Sequence, residues 1–178
     1  VTARVPEYEA WVNAVDMHPV YRRYRKALNL ISDSGQRWVL KCPSHLWSLH
    51  TILDTFPDAC IVMTHRDPEK SFPSLFDLVS QLRQFTEEGI ERARYGRQNF
   101  GTWGWGLDKA EKDRKTIARE RIYDIHSDDI RADPVGSAQR IYRHFDIPVS
   151  EQALAAWRRL SSESPTGGHA SHSYTAED

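Results

Sequence analysis

Apolar positions along this chain follow two rhythms. In EYEAWVNAVDMHPVYRRYRKALNLI (7–31), Trp11, Val12 and Val15 share one helical face, Pro19 interrupts it, and Tyr21, Tyr24, Leu28 and Ile31 resume it. RWVLKCP (37–43) is a short continuous apolar run ended by Pro43, the profile of a buried strand. Ser44 is then the expected N-cap of a helix that carries Leu46, Leu49, Leu53 and Phe56 at helical spacing. FPDA (56–59) turns the chain into CIVMT (60–64), a second buried strand, and DPEKSFPSLFDLVSQLRQF (67–85) returns to helix.

Residues 84–106 hold five glycines among aromatic residues and show no clear period. They are expected to form a long, partly helical excursion before a charged helix, LDKAEKDRKTIARER (107–121). RIYDIHSDDI (121–130) predicts a third strand and a polar turn. Asp133-Pro134 has the cap and first-turn chemistry of a helix start, with Val135, Ala138, Ile141, Tyr142 and Phe145 on one face. Ser150 is the expected cap of a last helix through Leu160, and the tail PTGGHASHSYTAED (165–178) is polar. Helices alternating with short buried strands predict an α/β fold, a parallel sheet flanked by helices, with ligands outside the carboxyl ends of the strands. The 178 residues suit a single domain.

Composition narrows the function. A net charge of −1 gives no basic field for nucleic acid or an anionic membrane, so any anion must be held by a local site. No apolar run is long enough to span a bilayer. The opening residues VTARVPEYEAW have neither an apolar h-region nor a cleavage site, and they lack a starting methionine. The chain is therefore expected to be a piece of something longer. Cys42 and Cys60 sit in strand-like surroundings, which predicts buried thiols and a cytoplasmic location. Eight histidines raise a metal site, but His169/His172 and His45/His50 have no third ligand at suitable spacing, so none is expected. GxSxG, HExxH and the Walker A loop are all missing from the 178 residues.

The candidate chemistry lies at two strand ends. Arg66 leaves the second strand just as Asp67 and Pro68 open a helix, with Glu69 in its first turn. A strand-to-helix junction presents unpaired N–H groups, and an arginine beside it adds bidentate phosphate geometry. Ser74 lies further along the helix with a hydroxyl for the same anion, although Pro73 would kink the helix or delay its start. The alternative is an arginine paired with an acidic side chain and an exposed serine. After the first strand, Lys41 is expected to face a cleft or a partner, because a lysine is not buried unpaired. His45 offers an imidazole to take a proton from an acceptor hydroxyl, or else is a helix-start histidine bonded to backbone.

RWVLKCPSHLWSLHTILDTFPDACIVMTHRDPEKSFPSL resembles the core of a sulfotransferase that uses 3′-phosphoadenosine 5′-phosphosulfate (PAPS), of the type common in bacteria. Residues 8–31, DPVGSAQRIYRHFDIPVS and HASHSYTAED resemble further segments of that family, so the likeness covers nearly the whole chain. The resemblance implies a P-loop-like α/β fold, PAPS as sulfonate donor, no metal, and a small-molecule acceptor with a hydroxyl or amine. It implies that Arg66 and Ser74 hold the 3′-phosphate, that the stretch around Gly167 and Gly168 lies near it, that Lys41 faces the sulfonate, and that His45 is the base. Two departures stand out. The family's N-terminal phosphosulfate loop would precede Val1, so this fragment, incomplete at its N-terminus, is expected to be inactive alone. Ser127-Asp128-Asp129-Ile130 stands where the family often has a tyrosine that stacks near adenine. A non-catalytic nucleotide-binding remnant and a small-molecule kinase of related fold are the alternatives.

Overall fold

In a computed structural model, which describes residues 5–32, 37–87, 89 and 92–163, the chain divides into two compact units. The first is Val1–Ala59 with Phe76–Ile117, and the second is Cys60–Leu75 with Ala118–Asp178.

The first unit is helical. Helices α1 (Pro6–Ala14) and α2 (His18–Ile31) separate at residues 15–17, so Pro19 falls in the first turn of α2, where its missing N–H costs nothing. Asp16 accepts from the backbone N–H of His18 at 3.0 Å and from its Nδ1 at 2.6 Å. Residues 37–42 form no strand, contrary to the pattern. Val39 is 85% exposed and no described residue supplies a ladder partner. Cys42 is exposed with this segment, and Cys60 is exposed just before the first strand, so the expectation of buried thiols fails for both.

Ser44 is not a helix cap either. Pro43–Ser48 is a 3₁₀ stretch, and α3 (Leu49–Thr55) starts only after it. The Nε2 atom of His18 reaches Asp54 at 3.2 Å and the Arg25 guanidinium donates to the Thr55 carbonyl at 2.9 Å, which ties α2 to α3. The second half of α4 (Pro68–Arg83) ends on Arg83, 5% exposed, whose guanidinium lies 4.2 Å over the Tyr95 ring. Such a buried cation over an aromatic face fixes two helices together.

From Arg92 onward the glycine-rich stretch is helix, in line with the partly helical expectation. α5 (Arg92–Arg114) runs unbroken from it into the charged segment. Glycine disfavours a helix interior, and tertiary packing overrides that here. Trp103 and Trp105 pack tilted and edge-on against Trp47 of the 3₁₀ stretch, at 5.5 and 6.1 Å between ring centroids. A Cβ on Gly106 would lie 1.9 Å from Trp47 Nε1, so the indole needs glycine there.

The second unit holds the sheet. Strands β1 (Ile61–His65) and β2 (Ile122–His126) pair in parallel, with Ile61 opposite Ile122 and His65 opposite His126. The polar segment after β2 is not a turn but a short helix, α6 (Ser127–Ala132), with Asp128 and Asp129 in its positive first turn. Asp133 caps α7 (Pro134–His144) by accepting from the Gly136 N–H at 2.8 Å, as its position predicts. Ser150 caps α8 (Glu151–Glu163) through the Ala153 N–H at 3.1 Å. Tyr142 and Trp157 join these two helices edge to face at 5.1 Å. No described helix is long and apolar enough to cross a membrane.

Two predictions follow from this packing. Gly106→Ala should lower stability by about 1 kcal/mol or more, because overpacking against an indole outweighs the helix propensity gained. Gly101→Ala, where a Cβ meets nothing within 4 Å, should raise it by up to about 1 kcal/mol; denaturant unfolding of both variants checks the pair. The second concerns His18, whose hydrogen bonds to the Asp16 and then the Asp54 carboxylate raise its pKa above the ordinary 6.5. Its contribution is fully present below pH 6.5 and is lost as pH rises through the raised folded value. The stability advantage over His18→Gln, followed by unfolding midpoints across pH, should therefore shrink on the alkaline side. An advantage that grows there would reject the ion pair.

Candidate active site

The second-unit candidates are placed by a local junction. β1 ends at His65, Arg66 follows, and α4 starts at Pro68. Asp67 acts as the predicted cap: its Oδ1 accepts from the Glu69 N–H at 3.0 Å, and its carbonyl accepts from the Ser71 N–H at 3.0 Å. Arg66 is exposed, and among the described residues it has neither an ion-pair nor a hydrogen-bond partner. The alternative of an acid-paired arginine finds no support among those residues. α4 neither starts late nor breaks at Pro73, and Ser74 is its seventh residue, half-buried in the second turn. Arg66 and Ser74 thus flank one helix start.

His65 adds a contact that sequence reasoning missed. Its Nε2 donates to Asp124 Oδ1 at 2.6 Å, and its ring lies 5.6 Å from that of His126, its partner across the ladder. This pins the end of β1 to β2 next to Arg66. The sequence carried no signal for it, since the partners are 59 positions apart.

The first-unit candidates flank the 3₁₀ stretch. Lys41 is exposed, with no hydrogen-bond or ion-pair partner among the described residues. The stretch begins where the His45 N–H donates to the Cys42 carbonyl at 3.1 Å. His45 is half-buried against α2, with its Nδ1 2.8 Å from the Tyr21 hydroxyl and its ring 5.7 and 6.2 Å from those of Tyr21 and Tyr24. Its ring is therefore bound to a side chain, while its backbone N–H makes the local turn. Burial depresses the His45 pKa, so the neutral imidazole that a general base requires is favoured at neutral pH. Gly167, Gly168, His169 and His172 lie outside the described residues. Among the residues that are described, no cluster of His, Cys, Asp or Glu is arranged to hold a metal ion.

An NMR titration of the His45 ring should give a midpoint below 6.5. A midpoint at or above that value would show that the imidazole is solvated rather than packed under Tyr21 and Tyr24.

Comparison with known proteins gives this arrangement a context. The profile of the Sulfotransferase family matches residues 1–151. Omega-hydroxy-beta-dihydromenaquinone-9 sulfotransferase Stf3 of Mycobacterium bovis and of Mycobacterium tuberculosis is 24% identical over 168 residues, which is 88% of this chain and 42% of the relative. The crystal structure of sulfotransferase STF1 from M. tuberculosis superposes with a TM-score of 0.79 at 36% identity, over 87% of this chain and 43% of that one. Sulfotransferase STF9 from Mycobacterium avium gives a TM-score of 0.81 at 27% identity, over 91% of this chain and 42% of that one. The α/β fold expected from the sequence is thus the fold of these enzymes, and the chain spans less than half of their length.

Proposed function

Because this chain belongs to the sulfotransferase family, we propose that the protein containing it transfers a sulfonate group from PAPS to a hydroxyl or amine of a small-molecule acceptor. The profile match crosses both units, which supports reading 1–178 as part of one catalytic domain. Relatives more than twice as long support the view that residues outside this stretch complete the nucleotide site, so the stretch by itself is inactive.

The observation that carries this reading is Arg66. It stands exposed, with no acidic partner among the described residues, one residue before a capped helix start. Such a cation is available to an anion, and its planar fork matches two oxygens of a phosphate. The Ser74 hydroxyl is the other donor of this set, which suits the 3′-phosphate of the nucleotide. PAPS supplies the activated sulfonate.

The chain's own residues supply positioning and proton transfer. His45 takes the proton from the acceptor hydroxyl as its oxygen attacks sulfur in line with the leaving phosphate oxygen. The Lys41 ammonium stabilises the negative charge that develops on that leaving oxygen. Neither step asks for a metal ion.

Arg66→Ala in the full-length protein should weaken binding of adenosine 3′,5′-bisphosphate by at least about tenfold, since a bidentate charged hydrogen bond contributes roughly 1.5–3 kcal/mol. Calorimetry with and without Mg²⁺, and with ATP in its place, completes the test. Unchanged affinity in the variant would remove Arg66 from the site. Tight, Mg²⁺-dependent ATP binding would instead favour a kinase.

A further inference from the structure

Tyr21 has no part in the function proposed above, yet among the described residues it is one of the most buried aromatics, at 6% exposure. A buried tyrosine hydroxyl needs a partner. This one lies 2.8 Å from His45 Nδ1. Tyr24 and Phe56 close the surroundings, with the Tyr24 ring 6.2 Å from His45 and 6.3 Å from Phe56. One imidazole nitrogen is therefore committed inside the protein, and Nε2 is the nitrogen left for other work.

We propose that Tyr21 is a positioning residue for His45: its hydroxyl oxygen accepts the Nδ1–H of the imidazole, which leaves the Nε2 lone pair free as the base. The inference rests on His45 being the base. A phenol can donate or accept, so two arrangements of this pair exist. If Tyr21 donated to Nδ1, Nε2 would carry the hydrogen and could only donate. The tautomer of a histidine is set by the hydrogen bond that its other nitrogen makes, so the direction of the Tyr21 hydrogen bond decides whether His45 is a base or a donor. Burial supports the arrangement by keeping the Tyr21 phenol protonated, its pKa raised chiefly by desolvation. Tyr21 acts through His45 and does not itself touch the acceptor.

The ¹⁵N shifts of the His45 ring in the full-length protein test this directly. Wild type should show a protonated Nδ1 and a bare Nε2, whereas Tyr21→Phe, which keeps the ring, should show mixed tautomers. A wild-type spectrum with hydrogen on Nε2, or one that Tyr21→Phe leaves unchanged, overturns the proposal. In sulfotransfer assays Tyr21→Phe should lower kcat about tenfold or more with KM little changed, and should add nothing in a His45→Ala background. An equal loss in both backgrounds would mean that Tyr21 acts on structure alone and would also overturn it. Activity retained by His45→Ala is a failure of the base assignment, and the ring spectrum separates that from a failure of the positioning role.

Discussion

The indole of Trp47 lying against the backbone at Gly106 is the contact on which the first unit depends. Trp47 sits two residues after His45 in the same 3₁₀ stretch, so whatever holds the indole also holds the imidazole. Its partners Trp103 and Trp105 come from the part of α5 with the poorest helix propensity. Gly106 lets backbone and indole approach closely, and the ring contacts of Trp103 and Trp105 with Trp47 offset the lost propensity. Leu49, 2% exposed, continues the same packing into α3. A helix built this way is a consequence of its neighbours, and that is why its local sequence did not announce it.

The junction at Arg66 depends on the opposite kind of cause. Asp67, Pro68 and Glu69 are contiguous, and each favours a helix start on local grounds: a side-chain acceptor, a fixed φ, and a negative charge in the first turn. Only the anchoring of β1 is non-local, through the parallel ladder to β2 and the His65–Asp124 hydrogen bond. The backbone position of Arg66 is thus inherited from a strand end and a capped turn, two rigid elements, rather than from a loop.

What could be read in the sequence follows this division. The caps at Asp133 and Ser150 were legible because short-range chemistry decides them; the strands at 61–65 and 122–126 were legible as apolar runs that find each other as ladder partners, although β1 has no buried residue, against the expectation of a buried strand. The stretch 37–42 was misread as a buried strand because an apolar run records a tendency to be covered, not the presence of a cover. Val39 at 85% exposure has the composition of a strand without the neighbours of one. Ser44 failed as a cap because Pro43 favours a tight 3₁₀ start, and Cys42 and Cys60 failed as buried residues because each lies just outside an element. At the site, spacing alone allowed an anion at Arg66, and the family likeness was needed to name the nucleotide. The Tyr21–His45 contact was illegible, since its partners lie 24 positions apart in two different helical segments.

Pro73 shows how local cost and position combine. Inside a helix a proline removes the hydrogen bond to the carbonyl four residues back, here that of Glu69. Glu69 lies in the exposed first turn, where water can satisfy the carbonyl, so the loss is far smaller than in a buried helix interior. α4 therefore continues through Pro73, and the seven residues from Asp67 to Ser74 bring the serine back to nearly the same helical face as the cap, about two turns on. The same proline excludes a bond from residue 73 and stiffens the chain immediately before Ser74. A hydroxyl that follows a fixed φ on a capped helix has little backbone freedom left to lose on binding an anion.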